Sequence, residues 1–172
     1  IWILVEGYLF SSNLWYINAR IPLSAELYLI FFSTALELEI NNNIIMNSLI
    51  VDAARNNIFL TFIVRENIYT CSHENSKINF ERLMILVNEF LKNNKSSLEE
   101  ISAIYVNRGP GSFAGIRNSL STVKALFLTK KIEYYCFSFE DFKESESTKY
   151  MDVPQLCAKY KIKKNLINPI YL

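Results

Sequence analysis

Gly109, Gly111 and Gly115 fall within seven residues of the stretch Asn107-Arg108-Gly109-Pro110-Gly111-Ser112-Phe113-Ala114-Gly115-Ile116-Arg117. Glycine is required where the backbone takes a positive φ or where another group comes too close for a Cβ. Ile104-Tyr105-Val106 reads as a strand leading in, and Ile116, Leu120, Val123 and Phe127 recur at helical spacing leading out. At such a strand-to-helix turn the free amides of the first helical turn and the helix dipole favour an anion. Ser112 stands at the N-cap position, where its hydroxyl accepts from a first-turn amide. Asp52, at the end of the first core strand, is the one acidic residue that the sequence places near this turn. Asp52, Gly109, Gly111 and Ser112 are therefore the candidate nucleotide contacts. The spacing Gly-x-Gly-x-x-x-Gly is one residue longer than the dinucleotide fingerprint, and no Gly-Lys-Ser/Thr ending marks a P-loop. Taken alone, the motif is read first as a structural turn, with a phosphate cradle as the alternative.

Other reactive groups are sparse. The single histidine, His73, precedes Glu74, but position 77 is Lys77, so the metalloprotease pattern His-Glu-x-x-His is absent. Cys71, Cys136 and Cys157 are odd in number and form no Cys-x-x-Cys pair. That usage suits a reducing cytoplasm and opposes a disulfide scaffold or a zinc site. No Ser-His or Cys-His set can be assembled around one histidine, so no catalytic residue and no metal ligand is assigned.

These residues must be held by a folded core. The chain has 172 residues, 51% hydrophobic and 20% charged, which is globular and long enough for one domain with or without a small appendage. A net charge of +1 supplies no strong field for unaided nucleic-acid binding. From Ser48 the pattern is β: Leu49-Ile50-Val51, then Ile58 to Val64, then a third strand from Ile68, with turns at Asn56-Asn57 and Arg65-Glu66-Asn67. Phe80, Leu83, Met84, Val87 and Leu91 line one face of a helix with Glu81 in its first turn. Ser96 to Glu99 or Ser97 to Glu100 has capping-box spacing before the strand Ala103 to Val106. Tyr134 to Phe137 follows the glycine-turn helix as a fifth strand. The order β-β-β-α-β-α-β predicts an α/β fold with a mixed sheet whose later strands run parallel.

Residues 1–45 mix aromatic and apolar runs that fit neither helix nor strand cleanly. They are read as upstream or non-native extension, with Met46 as the expected start and a genuine N-terminal helix as the alternative. Their most apolar run, Leu27 to Leu36, is half the length of about twenty residues that a membrane span needs, so no membrane partner is expected. Residues 46–142 are expected to form the main lobe, and residues 143–172 a linker and a short C-terminal segment. Lys159, Lys161, Lys163 and Lys164 in that segment read as a solvated helix face, with a contact to RNA phosphate as the alternative.

The run Ser97-Leu98-Glu99-Glu100-Ile101-Ser102-Ala103-Ile104, followed by Arg108 to Arg117, resembles the signature of the TsaB (YeaZ) family, which usually reads Gly-Pro-Gly-Ser-Phe-Thr-Gly-Leu-Arg here. The likeness extends back to Met46, forward through Phe137-Ser138-Phe139-Glu140, and to the closing Pro169-Ile170-Tyr171-Leu172. It implies the N-terminal lobe of an actin-like ATPase (RNase H-type) fold, with the second lobe largely missing. It further implies a cytoplasmic, non-catalytic scaffold subunit of the complex that forms N6-threonylcarbamoyladenosine at position 37 of tRNAs reading ANN codons. The implied partners are TsaD as a heterodimer, TsaE, a homodimer when TsaD is absent, and tRNA indirectly. No cofactor is implied for the chain by itself, and ATP only at the level of the complex.

The resemblance also carries departures. Ala53 and Ala54 follow Asp52 where relatives commonly have Thr and Ser, Asn79 replaces a histidine, and Ser119 replaces a glycine. The family's two N-lobe helices form the partner contact, and the matching residues here are Phe80, Met84, Ile85, Ile116, Arg117 and Leu120, with Ala125 and Leu126 beside them. Two other function classes stand against the scaffold: an independent ATPase or small-molecule kinase of the same superfamily, relying on Asp52, and a peptidase, which lacks a nucleophile-base pair here.

Overall fold

The computed structural model describes residues 2–5, 8–11, 47–143 and 149–171. It divides into two compact units, Ile1–Glu37 and Leu38–Leu172. Of the first, a two-stranded antiparallel hairpin is described, β1 (Trp2–Val5) with β2 (Tyr8–Ser11), in the register Val5↔Tyr8. This corrects the expectation of no clear strand there: the first run carries Trp2, Ile3 and Val5, the second Tyr8 and Phe10, and only Glu6 and Gly7 separate them, a two-residue hairpin spacing. Met46 and the run Leu27 to Leu36 lie outside the described residues.

The second unit is built on a five-stranded sheet of order β5-β4-β3-β6-β7, formed by β3 (Ser48–Asp52), β4 (Asn57–Val64), β5 (Asn67–Glu74), β6 (Ala103–Asn107) and β7 (Glu133–Phe137). β3, β4 and β5 meet antiparallel through short turns. β6 pairs parallel with β3, Val51 opposite Val106, and β7 pairs parallel with β6, Val106 opposite Cys136. A parallel neighbour needs a crossover connection, and each of these two is helical. The expected order and the mixed sheet are therefore observed.

Side chains alternate across the sheet with the period of two that a strand imposes. Leu49, Val51, Ile104, Val106, Tyr134 and Cys136 enter one apolar core, while Ile50, Ala103, Tyr105 and Phe137 enter a second on the opposite face. Burial on both faces explains why these strands read as continuous apolar runs.

The first face is covered by helices. α1 (Lys77–Glu81) and α2 (Leu83–Asn93) replace the single expected helix, because Arg82 leaves helical geometry at φ −98° and ψ 9°. Glu81 thus ends α1 rather than opening a helix, and Ser76 caps it by accepting from the Asn79 amide at 3.4 Å. Leu98–Glu100 form the expected short turn, but without a capping box: the Ser96 hydroxyl bonds the Glu100 carboxylate at 2.7 Å. α3 (Phe113–Lys130) is the long crossover helix and stops at Lys131, which takes the left-handed conformation.

The second face is covered by α4 (Val153–Lys159) and its flanks. Phe142, Val153, Leu156 and Cys157 pack against the sheet there. The lysines of this region do not share a helix face: Lys161, Lys163 and Lys164 follow α4, and Lys164 pairs with Glu133 at 2.8 Å. Among the described residues no helix is long and apolar enough to cross a membrane.

Candidate functional site at the glycine turn

The turn between β6 and α3 lies against the residues that follow β3. A Cβ at Gly111 would land on the carbonyl oxygen of Ala54, and one at Gly115 on that of Ala53. At Gly109, whose φ is +108°, a Cβ would meet the carbonyl oxygen of Ile170. The Ser112 amide donates to the Ala54 carbonyl at 2.8 Å, and the Gly109 amide donates to the Asn107 side chain at 3.0 Å. Ser112 caps α3 as expected, its hydroxyl accepting from the Gly115 amide at 3.3 Å. The three glycines thus serve close backbone packing, and several amides of the turn donate within the protein. The bond from Gly109 to Pro110 is cis.

Asp52 is completely buried. One carboxylate oxygen accepts from the Ala54 amide at 3.0 Å, and the other accepts from the Tyr150 hydroxyl at 2.7 Å. Arg55 approaches that second oxygen at 3.5 Å and lays its guanidinium over the Phe139 ring, 4.5 Å from the centroid. Tyr150 is also held by stacking on Phe59 at 5.7 Å and by an edge contact to Phe139 at 5.6 Å. Burial, and next the neighbouring Asp52 charge, pushes the Tyr150 hydroxyl well above its ordinary range, so it stays a donor. A shallow hollow of about 450 Å³ beside the turn is lined by Ala54, Arg55, Asn56, Asn57, Phe59 and Pro110, and Asp52 is not part of that lining. Among the described residues no group of three or more His, Cys, Asp or Glu side chains is placed to hold a metal ion.

Arg108 is a second anchor that the sequence did not single out. Its guanidinium grips both oxygens of Asp141, at 2.5 and 3.3 Å, and donates to the Asn168 carbonyl at 3.0 Å. Asp141 also accepts from the Ser138 amide at 2.7 Å, closing a capping box around the short turn Phe139–Asp141. The spacing Ser138-x-x-Asp141 was the available signal for that box. Nothing local announces Tyr150, whose partner lies 98 residues away.

The departures from the family pattern have structural places. Ala53 and Ala54 are buried in the first core, with their carbonyl oxygens against the glycine turn. Asn79 donates to the Glu74 carbonyl at 2.7 Å, and buried Ser119 donates back to the Ile116 carbonyl at 3.0 Å.

The candidate interface residues divide. Phe80, Ile116 and Leu120 are buried, with Ile116 fully so, and their side chains form the first core. This corrects their assignment to a surface: their helical spacing marks the face turned to the sheet. Leu126 is buried in the same core. Met84 is half-buried, whereas Ile85, Arg117 and Ala125 are exposed. Cys136 and Cys157 are buried, and burial pushes the Cys136 thiol up to about 12. Cys71 is half-buried beside His73, with its sulfur 3.6 Å from Nε2.

A model of the family described as TsaD, tRNA N6-adenosine threonylcarbamoyltransferase, matches residues 73–138. Two curated relatives are each named tRNA threonylcarbamoyladenosine biosynthesis protein TsaB. The one from Buchnera aphidicola subsp. Baizongia pistaciae (strain Bp) is 35% identical over 65 residues, covering 33% of this chain and 29% of the relative. The one from Buchnera aphidicola subsp. Schizaphis graminum (strain Sg) is 26% identical over 90 residues, covering 52% and 43%. The chain therefore spans less than half the length of the curated relatives it matches. Among solved structures, YeaZ from Pseudomonas aeruginosa superposes with a TM-score of 0.51 at 20% identity, over 54% of this chain and 44% of that one. A second structure, described as an uncharacterized protein with similarity to peptidase YEAZ from Pseudomonas aeruginosa, gives the same score and identity over 54% and 43%. Over the part that is matched, the chain is thus similar in sequence to proteins named TsaB and in fold to YeaZ.

Proposed function

We propose that this chain takes part in threonylcarbamoyladenosine biosynthesis on tRNA, as a non-catalytic scaffold that pairs with TsaD. Its place in that biosynthesis rests on the names of its curated relatives. The observation that carries the non-catalytic role is the state of Asp52: the carboxylate nearest the glycine turn is buried and bonded to the Ala54 amide and the Tyr150 hydroxyl. In this proposal TsaE and ATP join at the level of the complex, in the cytoplasm, tRNA is met through the partner, and the isolated chain forms a homodimer. The surface offered to TsaD is the outer side of α1, α2 and α3, where Ile78, Ile85, Arg117 and Leu128 are exposed. Apolar side chains beyond those needed by the core are what an interface centre uses.

Co-expression with TsaD from the same organism, followed by co-purification and reconstituted tRNA modification, tests the reading. A stable pair and restored modification are expected. Absence of both the pair and the modification would refute it, as would ATP turnover by the isolated chain that Asp52→Asn abolishes.

A further inference from the structure

We propose that Asp52 and Tyr150 form an internal latch, in which the carboxylate ending β3 holds α4 onto the second face of the sheet and is closed to a metal-bound phosphate. The inference is independent of any partner and concerns the isolated chain. Both carboxylate oxygens are engaged within the protein, one by the Ala54 amide at 3.0 Å and one by the Tyr150 hydroxyl at 2.7 Å. The residue is fully buried, so a ligand could reach it only after Tyr150 moves. Tyr150 opens the short turn Tyr150–Asp152, which runs directly into α4. A hydrogen bond to a buried carboxylate is among the stronger ones a side chain can make.

The ring of Tyr150 is built into the same latch. It stacks on Phe59 of β4 and meets Phe139 in an edge contact, while Arg55 lies over the Phe139 ring. The contact therefore joins the β3–β4 hairpin, in which Asp52 pairs with Phe59, to the segment leading into α4. Opening it would release α4 before the sheet, a local unfolding of one element on a stable base.

Hydrogen exchange on the full chain tests this. In Tyr150→Phe, which keeps the ring and removes the hydroxyl, amides of Val153–Lys159 should exchange about tenfold faster while β3 and β6 keep wild-type rates. Asp52→Asn should accelerate the same amides, and the double variant should be no faster than Tyr150→Phe alone, as expected of one shared contact. Unchanged exchange in α4, uniform acceleration across the sheet, or additive effects would each overturn the latch. Calorimetric titration of the wild-type chain with magnesium ATP supplies a second readout that needs no variant to fold. No binding heat is expected, and binding that is lost in Asp52→Asn would sink the proposal.

Discussion

A methyl group at Gly115 would fall on the carbonyl oxygen of Ala53 and within contact of the Phe80 ring. Backbone cannot yield as a flexible side chain does, so Gly115→Ala should destabilise the chain by about 1–3 kcal/mol or more, the cost of overpacking. Urea unfolding measures it, with the exposed neighbour Ala114→Ser as a control expected to stay within about 0.5 kcal/mol. The titratable residues make a second prediction. Burial raises the Cys136 thiol from 9.0 to about 12, and raises Cys157, Tyr105 and Tyr150 in the same direction. In each case the folded state binds its proton more tightly than the unfolded chain. This stability is fully present below the ordinary thiol value of 9.0 and is lost as pH rises through the folded values. The urea midpoint should therefore be flat from about pH 7 to 8.5 and fall beyond about pH 9. A midpoint that rises with alkalinity would contradict the burial of these groups. At about pH 8 a thiol reagent should modify half-buried Cys71 first and leave Cys136 and Cys157 protected until the chain unfolds.

At the scale of elements, the segment after α4 acts as a strap across the sheet's end. Asn165 takes the left-handed conformation at φ 59°, which Asn tolerates better than most residues. From there its amide donates to the Tyr134 carbonyl at 2.7 Å, and its side chain accepts from the Tyr134 amide at 3.1 Å, covering the outer edge of β7. Further on, the Ile170 amide donates to the Arg108 carbonyl at 2.8 Å, and Arg108 itself holds Asn168 and Asp141. Arg108→Ala should cost about 2–3 kcal/mol, since it leaves the largely buried Asp141 carboxylate without its charged partner. Protease cleavage near Asn168 should accelerate in that variant, whereas loss of stability with an unchanged cleavage pattern would mean that the strap is held elsewhere. The strands, the glycine turn, the Ser112 cap and the long α3 were legible because each has a local signal: alternation, clustered glycines, or a cap before a periodic run. Tyr150, Arg108 and Asn165 were not, because their partners lie 31 or more residues away and no spacing encodes them. Phe80, Ile116 and Leu120 were placed at an interface through the resemblance, whereas their own helical spacing marks the face that the sheet buries. The hairpin Trp2–Val5 with Tyr8–Ser11 was legible in principle and was obscured by reading it together with the apolar stretch that follows.

Within the unit Leu38–Leu172 the sheet has two cores, and their covers come from different parts of the chain. Helices α1 to α3 lie in the connections between strands of the sheet. The cover of the second face is one short helix and its flanks, contributed by residues 149–171 after all five strands are complete. Val153, Leu156 and Cys157 from that cover, with Phe142, meet Ile50, Tyr105 and Phe137 of the sheet. Fully burying side chains of this size contributes about 1.5–3 kcal/mol each, so losing the cover removes an amount comparable to the whole stability of a domain. A chain lacking residues 149–171 should therefore lose cooperative unfolding and bind a hydrophobic dye, while retaining much of its far-ultraviolet dichroism. Supplying the missing residues as a separate peptide should reverse the dye binding if the second face is their docking surface. If the shortened chain instead unfolds with an unchanged midpoint and no dye binding, then the first core alone stabilises the sheet, and residues 149–171 only decorate it. In the full chain the start of this cover is tied to the sheet by the Tyr150 hydroxyl, which donates to Asp52 at the end of β3.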